Sequence, residues 1–332
     1  MILYYLEDAI HEVPSFIYIC GLTGGKVLTE SPSVHAKISR EFPGTDIELL
    51  QDKPAIEQRM IDLAPTVVVH TDYTARFFPK VRTKHVQVFH GESDKPYGYS
   101  KVLTQYSLVL LPGQKLADRI AKAGLLDRLN AKLVGYSKLD RVFRGELDRN
   151  RQLAELGLDP ARPSVLYAPT WRDMWNNSSL PRYGREVVSG VPSDVNLIVK
   201  LHASSYKQDL KYCRMVEALV EGRPNVRMIH HASDIIPIMA ASDLLISDIS
   251  SVTNEYLAFN RPMVFLDPIL HFGGKNATWV WGAGDVVRKK GRVWETVMAR
   301  LAGPDVHRAR REEYLRYAFY QPDGHATERA AQ

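Results

Sequence analysis

The sequence predicts an α/β fold: two Rossmann-like domains whose parallel sheets face a central cleft. Three observations carry this. Short runs rich in Val, Ile and Leu alternate with helical segments from end to end, as parallel strands covered on both faces do. The runs form two series joined near residue 158, after a helix over 148–157 and the loop "GLDPARP". A chain of 332 residues is also too long for one small core. The expected division is an N-terminal domain over 1–157, a C-terminal domain over 158–304, and a basic helix with tail over 305–332.

In the first series the candidate strands are "SFIYIC" (15–20), "DIEL" (46–49), "TVVVH" (66–70), "HVQVF" (85–89) and "SLVLL" (107–111). Segments such as "PAIEQRMIDLA" between them place apolar residues at helical spacing. The second series offers "SVLYA" (164–168), "NLIVKL" (196–201), "NVRMI" (225–229), "DLLIS" (243–247) and "MVFLD" (263–267). The last helix is expected from Val306 to Phe319. Arg308, Arg310, Arg311 and Arg316 give it a solvated basic face, and Tyr314, Tyr317 and Ala318 a stripe too short to favour a membrane surface.

Composition narrows the function classes. With 45% hydrophobic and 24% charged residues the chain reads as globular. A net charge of +5 favours anionic partners in general, but no nucleic-acid signature accompanies it. Cys20 and Cys213 make neither a disulfide framework nor a metal-binding spacing. The opening "MILYYLEDAI" lacks the basic start of a signal peptide, and no apolar stretch nears the roughly 18 residues of a membrane span. A cytoplasmic chain is expected, with membrane contact at most peripheral, at the inner face. "CGLTGGK" spaces Gly21, Gly24 and Gly25 wrongly for a dinucleotide fingerprint, and no Walker or GxSxG sequence occurs.

Ligands of open parallel sheets bind beyond the carboxyl ends of the strands, which makes strand ends the place to look. His90 leaves one strand just before Gly91; it either takes a proton from a hydroxyl or is satisfied by a loop carbonyl. "LYAPTWRD" offers Thr170, Trp171 and Arg172; the guanidinium either holds phosphate or pairs with Asp173 at the surface. His202 ends "IVKLH" and either donates to a phosphate oxygen or serves the structure. "LLISDISS" runs from a strand into a helix start, where Ser250 or Ser251 caps the helix and free N–H groups suit a phosphate. Asp248, an acid in that turn, is expected to face a backbone donor or the helix start. Another helix is expected to start at Ser233 or Asp234, with Pro237 in its first turn.

The ordered motifs "FHG", "YAPTWRD", "KLH" and "SDIIPIMAASDLLISDISSVTNEYLAFNRPMVFLD", across roughly 85–268, resemble the CDP-glycerol glycerophosphotransferase family. These are the teichoic-acid-type polyol-phosphate primases and polymerases, similar in fold to GT-B glycosyltransferases. The resemblance implies transfer of glycerol or ribitol phosphate from a CDP-polyol to an acceptor hydroxyl in teichoic-acid-like or capsular polymer synthesis. The hydroxyl attacks the β-phosphorus in line and CMP leaves. The acceptor is a polyol phosphate or glycan, lipid-linked in some settings.

The resemblance makes His90 the base on the acceptor and His202 a contact of the donor pyrophosphate. Thr170, Arg172, Asp234, Ser250, Ser251 and Glu255 are expected at the donor, and Gly91, Glu92 and Lys95 in an acceptor loop. No cofactor is implied, and no carboxylate cluster demands a metal, so metal-independent transfer is expected. Two departures stand out. The family's Trp-His-Gly-Thr/Ile-Pro-Leu-Lys reads Phe89-His90-Gly91-Glu92-Ser93-Asp94-Lys95 here, which leaves the acceptor open, and Ala203 replaces the proline after the second histidine. Two rival readings remain: a GT-B glycosyltransferase using a nucleotide sugar, and a non-catalytic binding subunit of a cell-surface polymer assembly. The oligomeric state is not legible.

Overall fold

The computed structural model describes residues 1–95, 100–230, 234–269 and 279–332. Contacts divide the chain into two compact units. One comprises Met1–Glu92, Pro96–Arg144 and Arg316–Gln332; the other comprises Ser93–Lys95 and Gly145–Leu315. The change of unit thus precedes the helix Arg149–Glu155, whereas the sequence suggested a joint near 158. That helix belongs to the second unit because Arg149 pairs with Asp243 and its guanidinium donates to the carbonyls of Pro160 and Arg162.

The first unit carries β1 (Ile2–Tyr5), β2 (Lys26–Thr29), β3 (Asp46–Leu49), β4 (Val67–His70), β5 (Lys84–Val88), β6 (Leu108–Leu111) and β7 (Ala131–Leu133). All pair in parallel, in the order β3-β2-β1-β4-β5-β6-β7. Period-two alternation sends Tyr4 and Val27 to one apolar layer and Leu3, Tyr5 and Leu28 to the other.

The run at 15–20 is not a strand. Residues Val13–Thr23 form a helix with Pro14 in its first turn, and it stops at Gly24, whose φ is +66°. Phe16, Ile17, Ile19 and Cys20 are buried on it. A short apolar run reads alike as buried strand or buried helix, and the flanking Pro and Gly settle it here. The strand roles fall to β1 and β2 on either side. Gly25, at φ +123°, lets the chain pass β1: a Cβ there would sit 2.5 Å from the Ile2 carbonyl oxygen.

The second unit carries β8 (Ser164–Tyr167), β9 (Asn196–Val199), β10 (Val226–Met228), β11 (Leu244–Ser247), β12 (Met263–Leu266) and β13 (Asp285–Val287). Its parallel order is β10-β9-β8-β11-β12-β13, with Val165, Leu197, Ile246 and Val264 in its core. Both sheets therefore reverse strand order at one place, between β1 and β4 and between β8 and β11, where such folds form ligand sites.

The last long helix spans Arg308–Ala318. Arg311 departs from the expected solvated face: it is fully buried, pairs with Asp305, and donates from Nε to the Asn260 side chain at 3.0 Å. A guanidinium survives burial only with such partners. The tail then returns to the first unit, where buried Asp140 accepts from the backbone of Ala326 and Thr327 at the start of the helix Ala326–Ala331. Cys20 and Cys213 are buried, free thiols. Among the described residues no helix is long and apolar enough to cross a membrane.

Candidate functional site

Each sheet assembles polar residues at its carboxyl edge, and each set is described by itself. In the first unit the loop after β1 supplies Glu7, Asp8 and Glu12, and the loop after β4 supplies Thr71, Asp72 and Thr74. Together they line a cavity of about 230 Å³.

His90 follows β5. Its Nδ1 lies 2.8 Å from the carbonyl oxygen of Thr71. A carbonyl only accepts, so Nδ1 carries the hydrogen and the neutral ring keeps a lone pair on Nε2. The loop-carbonyl reading is met at Nδ1, and the same contact leaves the Nε2 lone pair as the position from which a base would act. Buried Glu12 places Oε1 3.6 Å from Nδ1, while its Oε2 accepts from the Thr71 hydroxyl at 2.6 Å. Burial by itself would lower the His90 pKa. The Glu12 carboxylate, the Thr71 carbonyl and Asp72 outweigh it and raise the pKa above the ordinary histidine value. Burial raises the Glu12 carboxyl against the pull of His90 and Thr71. An imidazole whose tautomer is fixed in this way presents its Nε2 lone pair as a proton acceptor.

Gly91 and Glu92 continue from His90. Glu92 is 1% exposed, with Oε1 3.1 Å from Lys115 and 3.7 Å from Arg119, both on the helix Gln114–Lys122. Ser93–Lys95 group with the second unit. There the Lys95 ammonium is buried, donating to Thr170 Oγ1 at 2.9 Å and lying 3.1 Å from Asp173 and over the Trp171 ring. Burial works against ionisation of Asp173, but Asn177 and Lys95 prevail and hold its carboxyl below the usual range.

At the second reversal point Asp248 is fully buried. Its Oδ1 accepts from the Thr170 N–H at 2.9 Å and its Oδ2 from the Ser179 N–H at 2.7 Å. The acid therefore faces backbone donors, as expected, and ties the loop after β8 to the end of β11. Burial pushes its pKa up to about 6, with those two N–H groups pulling the other way. In Asp248→Asn the amide NH₂ opposes one of the two backbone donors. A loss of about 2 kcal/mol is expected, read as a lower denaturant midpoint.

His202 closes β9 with the opposite tautomer to His90. Its Nδ1 accepts from the Ser204 N–H at 3.1 Å, so the neutral ring carries its hydrogen on Nε2. Burial, then Lys200 and Lys95, press its pKa down to about 4. It is neutral throughout the physiological range, a hydrogen-bond donor through Nε2. The Trp171 ring lies 6.2 Å away.

The other expected donor residues are placed as follows. Half-exposed Arg172 pairs with Asp209 at 3.1 Å rather than with Asp173, which belongs to Lys95. Ser250 caps the helix Ser251–Tyr256 through Val252 N–H at 3.4 Å, and Glu255 is buried on that helix. Asp234 accepts from Ile236 N–H at 3.0 Å as the helix Ile236–Ala240 begins; Ser233 lies outside the described residues.

Sequence reasoning missed Glu12 because it placed the first strand at 15–20, so the loop after β1 was not seen as a strand end. It missed Thr71 because the acting group is a backbone carbonyl. His11, whose ring meets that of His90 edge-on, was missed with Glu12. Among the described residues His11, Glu12 and His90 also bring ligand atoms within 4.8 Å of one another, a set able to hold a cation.

Residues 57–329 match the family model described as CDP-glycerol:poly(glycerophosphate) glycerophosphotransferase. A teichoic acid glycerol-phosphate primase of Bacillus subtilis (strain 168) is 25% identical over 255 residues, covering 69% of this chain and 63% of that protein. The chain thus spans less than two thirds of that relative's length. The wall teichoic acid polymerase TagF superposes with a TM-score of 0.73 at 14% identity, over 99% of this chain and 86% of that one. A putative UDP-N-acetylglucosamine 2-epimerase from Listeria monocytogenes gives 0.62 at 13% identity, over 99% and 94%. At such identity the likeness speaks to fold, and the fold is GT-B-like.

Proposed function

The chain belongs to the CDP-glycerol:poly(glycerophosphate) glycerophosphotransferase family, and from that premise we propose that it transfers a polyol phosphate from a CDP-polyol to an acceptor hydroxyl. The acceptor oxygen attacks the β-phosphorus in line, the phosphoanhydride bond breaks, and CMP departs. The observation that carries this reading is the His90 ring, with Nδ1 committed to the Thr71 carbonyl and Glu12 beside it, so that Nε2 can take the acceptor proton. His202 is assigned to the donor diphosphate as a neutral N–H donor.

Arg172, Ser250 and Ser251 are proposed to contact the donor phosphates, and Glu255 and Asp234 the nucleotide or polyol. Thr170 and Lys95 act by position: the Thr170 N–H and hydroxyl are both engaged, and Lys95 is held against Asp173. Charge compensation by protein N–H groups and cations supports transfer without a divalent ion. On this reading the enzyme works in the cytoplasm, at the inner membrane face when its acceptor is lipid-linked.

The test is a donor screen with purified protein, run with and without EDTA, reading the nucleotide released. CMP from CDP-glycerol or CDP-ribitol, at a rate EDTA changes less than twofold, is the expected result. Release of UDP or GDP from a nucleotide sugar would replace the reading with glycosyl transfer. CDP-polyol binding without turnover across all acceptors would make the chain a binding subunit.

A further inference from the structure

The cluster His11, Glu12 and His90 holds more than the proposed transfer uses. His11 and Glu12 are neighbours on the short 3₁₀ helix Ile10–Glu12, just before the helix Val13–Thr23, and His90 follows β5. All three belong to the first unit, and one ligand atom from each lies within 4.8 Å of the others. Glu12 and His90 already stand at a coordinating separation, with Oε1 3.6 Å from Nδ1. Two ligands bonded to zinc at about 2.1 Å, at the tetrahedral angle, are roughly 3.4 Å apart. The His11 side chain is exposed, and its rotation can close the remaining distance. Glu12 Oε2 accepts from the Thr71 hydroxyl at 2.6 Å, an outer hydrogen bond of the kind that orients a metal-binding carboxylate. His11 and Glu12 also lie outside residues 57–329, the region that matches the family model.

Resting on the reading of His90 as base, we propose that His11, Glu12 and His90 bind a divalent transition metal, zinc best, and that the bound metal switches the transfer off. Two imidazoles and one carboxylate form a ligand set suited to zinc, and hard cations such as magnesium prefer oxygen. The switch follows from the chemistry of one ring. A neutral imidazole has one N–H and one lone pair. A metal on either nitrogen takes the lone pair and leaves the hydrogen on the other. The ring therefore cannot hold a metal and accept the acceptor's proton at once. Coordination through Nε2 keeps the Thr71 contact; coordination through Nδ1 gives it up. The metal-free chain is the active form, in keeping with a rate that EDTA leaves nearly unchanged.

The test uses the full chain, stripped with EDTA and then freed of chelator. Zn²⁺ is titrated against CMP release from CDP-glycerol, and Co²⁺ against visible absorption, for wild type and His11→Ala. Zn²⁺ is expected to lower the wild-type rate roughly 10²-fold, the loss of a positioned base, and EDTA to restore it. Co²⁺ is expected to give the strong visible bands of a four- or five-coordinate site. In His11→Ala the Zn²⁺ concentration that halves the variant's own metal-free rate should rise roughly tenfold or more, and the cobalt bands should fade. Unchanged zinc sensitivity in His11→Ala, a wild type without cobalt bands, or a rate that Zn²⁺ raises overturns the proposal and leaves the transferase reading intact. Cobalt bands that depend on His11 beside a rate indifferent to Zn²⁺ overturn the switch, and His90 as base with it. If no CMP is released under any condition, the transferase reading and the switch fall together, and the cobalt spectra still decide the metal site.

Discussion

His90→Ala is expected to lower kcat for CMP release by roughly 10²–10⁴-fold, the usual contribution of a positioned base. Because the base works deprotonated and its pKa is raised, the wild-type rate is expected to fall on the acid side beginning above the ordinary histidine value of about 6.5. Glu12→Gln separates this role from a structural one. Removing the anion removes the main upward influence on His90, so its pKa drops and the acid limb moves to lower pH. At high pH the weaker base costs a further factor, roughly tenfold. A pH–rate profile of Glu12→Gln that superposes on the wild type after scaling would sink the assignment of Glu12 as the group that tunes His90.

His202→Ala is expected to lower kcat by roughly 10²–10³-fold, the effect of deleting one donor to a charged transition state. Its pH signature differs from that of His90. With a pKa near 4 the ring is already neutral at every pH where the enzyme is assayed, so deleting it should leave the shape of the profile above pH 5 unchanged. His202→Gln keeps an N–H donor and should recover part of the loss. A His202→Ala profile with one limb missing would mean that the ring exchanges a proton during turnover, and the donor role would fall.

These two experiments probe opposite ends of one chemical contrast. Both side chains are histidines at strand ends, and the sequence identified both by position. What distinguishes them is which nitrogen meets which backbone group: a carbonyl from Thr71 for His90, an N–H from Ser204 for His202. The Ser204 contact is two residues away and lies within reach of sequence reasoning. The Thr71 contact joins loops after two different strands.

Asp248 and Lys95 show the same division. An acid in "LLISDISS" looks repulsive beside a phosphate until Thr170 and Ser179, far away in sequence, offer their N–H groups. The family resemblance puts Lys95 and Glu92 in an acceptor loop, and the structure buries both in ion pairs. An ion pair inside a protein requires its partner to be present at close range, and nothing local to Lys95 announces Asp173.

The sequence by itself determined the alternation of strands and helices, most strand positions, and the two histidines at carboxyl ends. These follow from apolar periodicity and from where it stops, and both are local. Tertiary structure alone decided that Arg311 is buried, which tautomer His90 holds, and that Glu12 stands beside His90. Those depend on groups brought together from distant parts of the chain. A hydrogen bond or a buried charge takes its properties from its partner, and the partner is fixed only when the chain has folded.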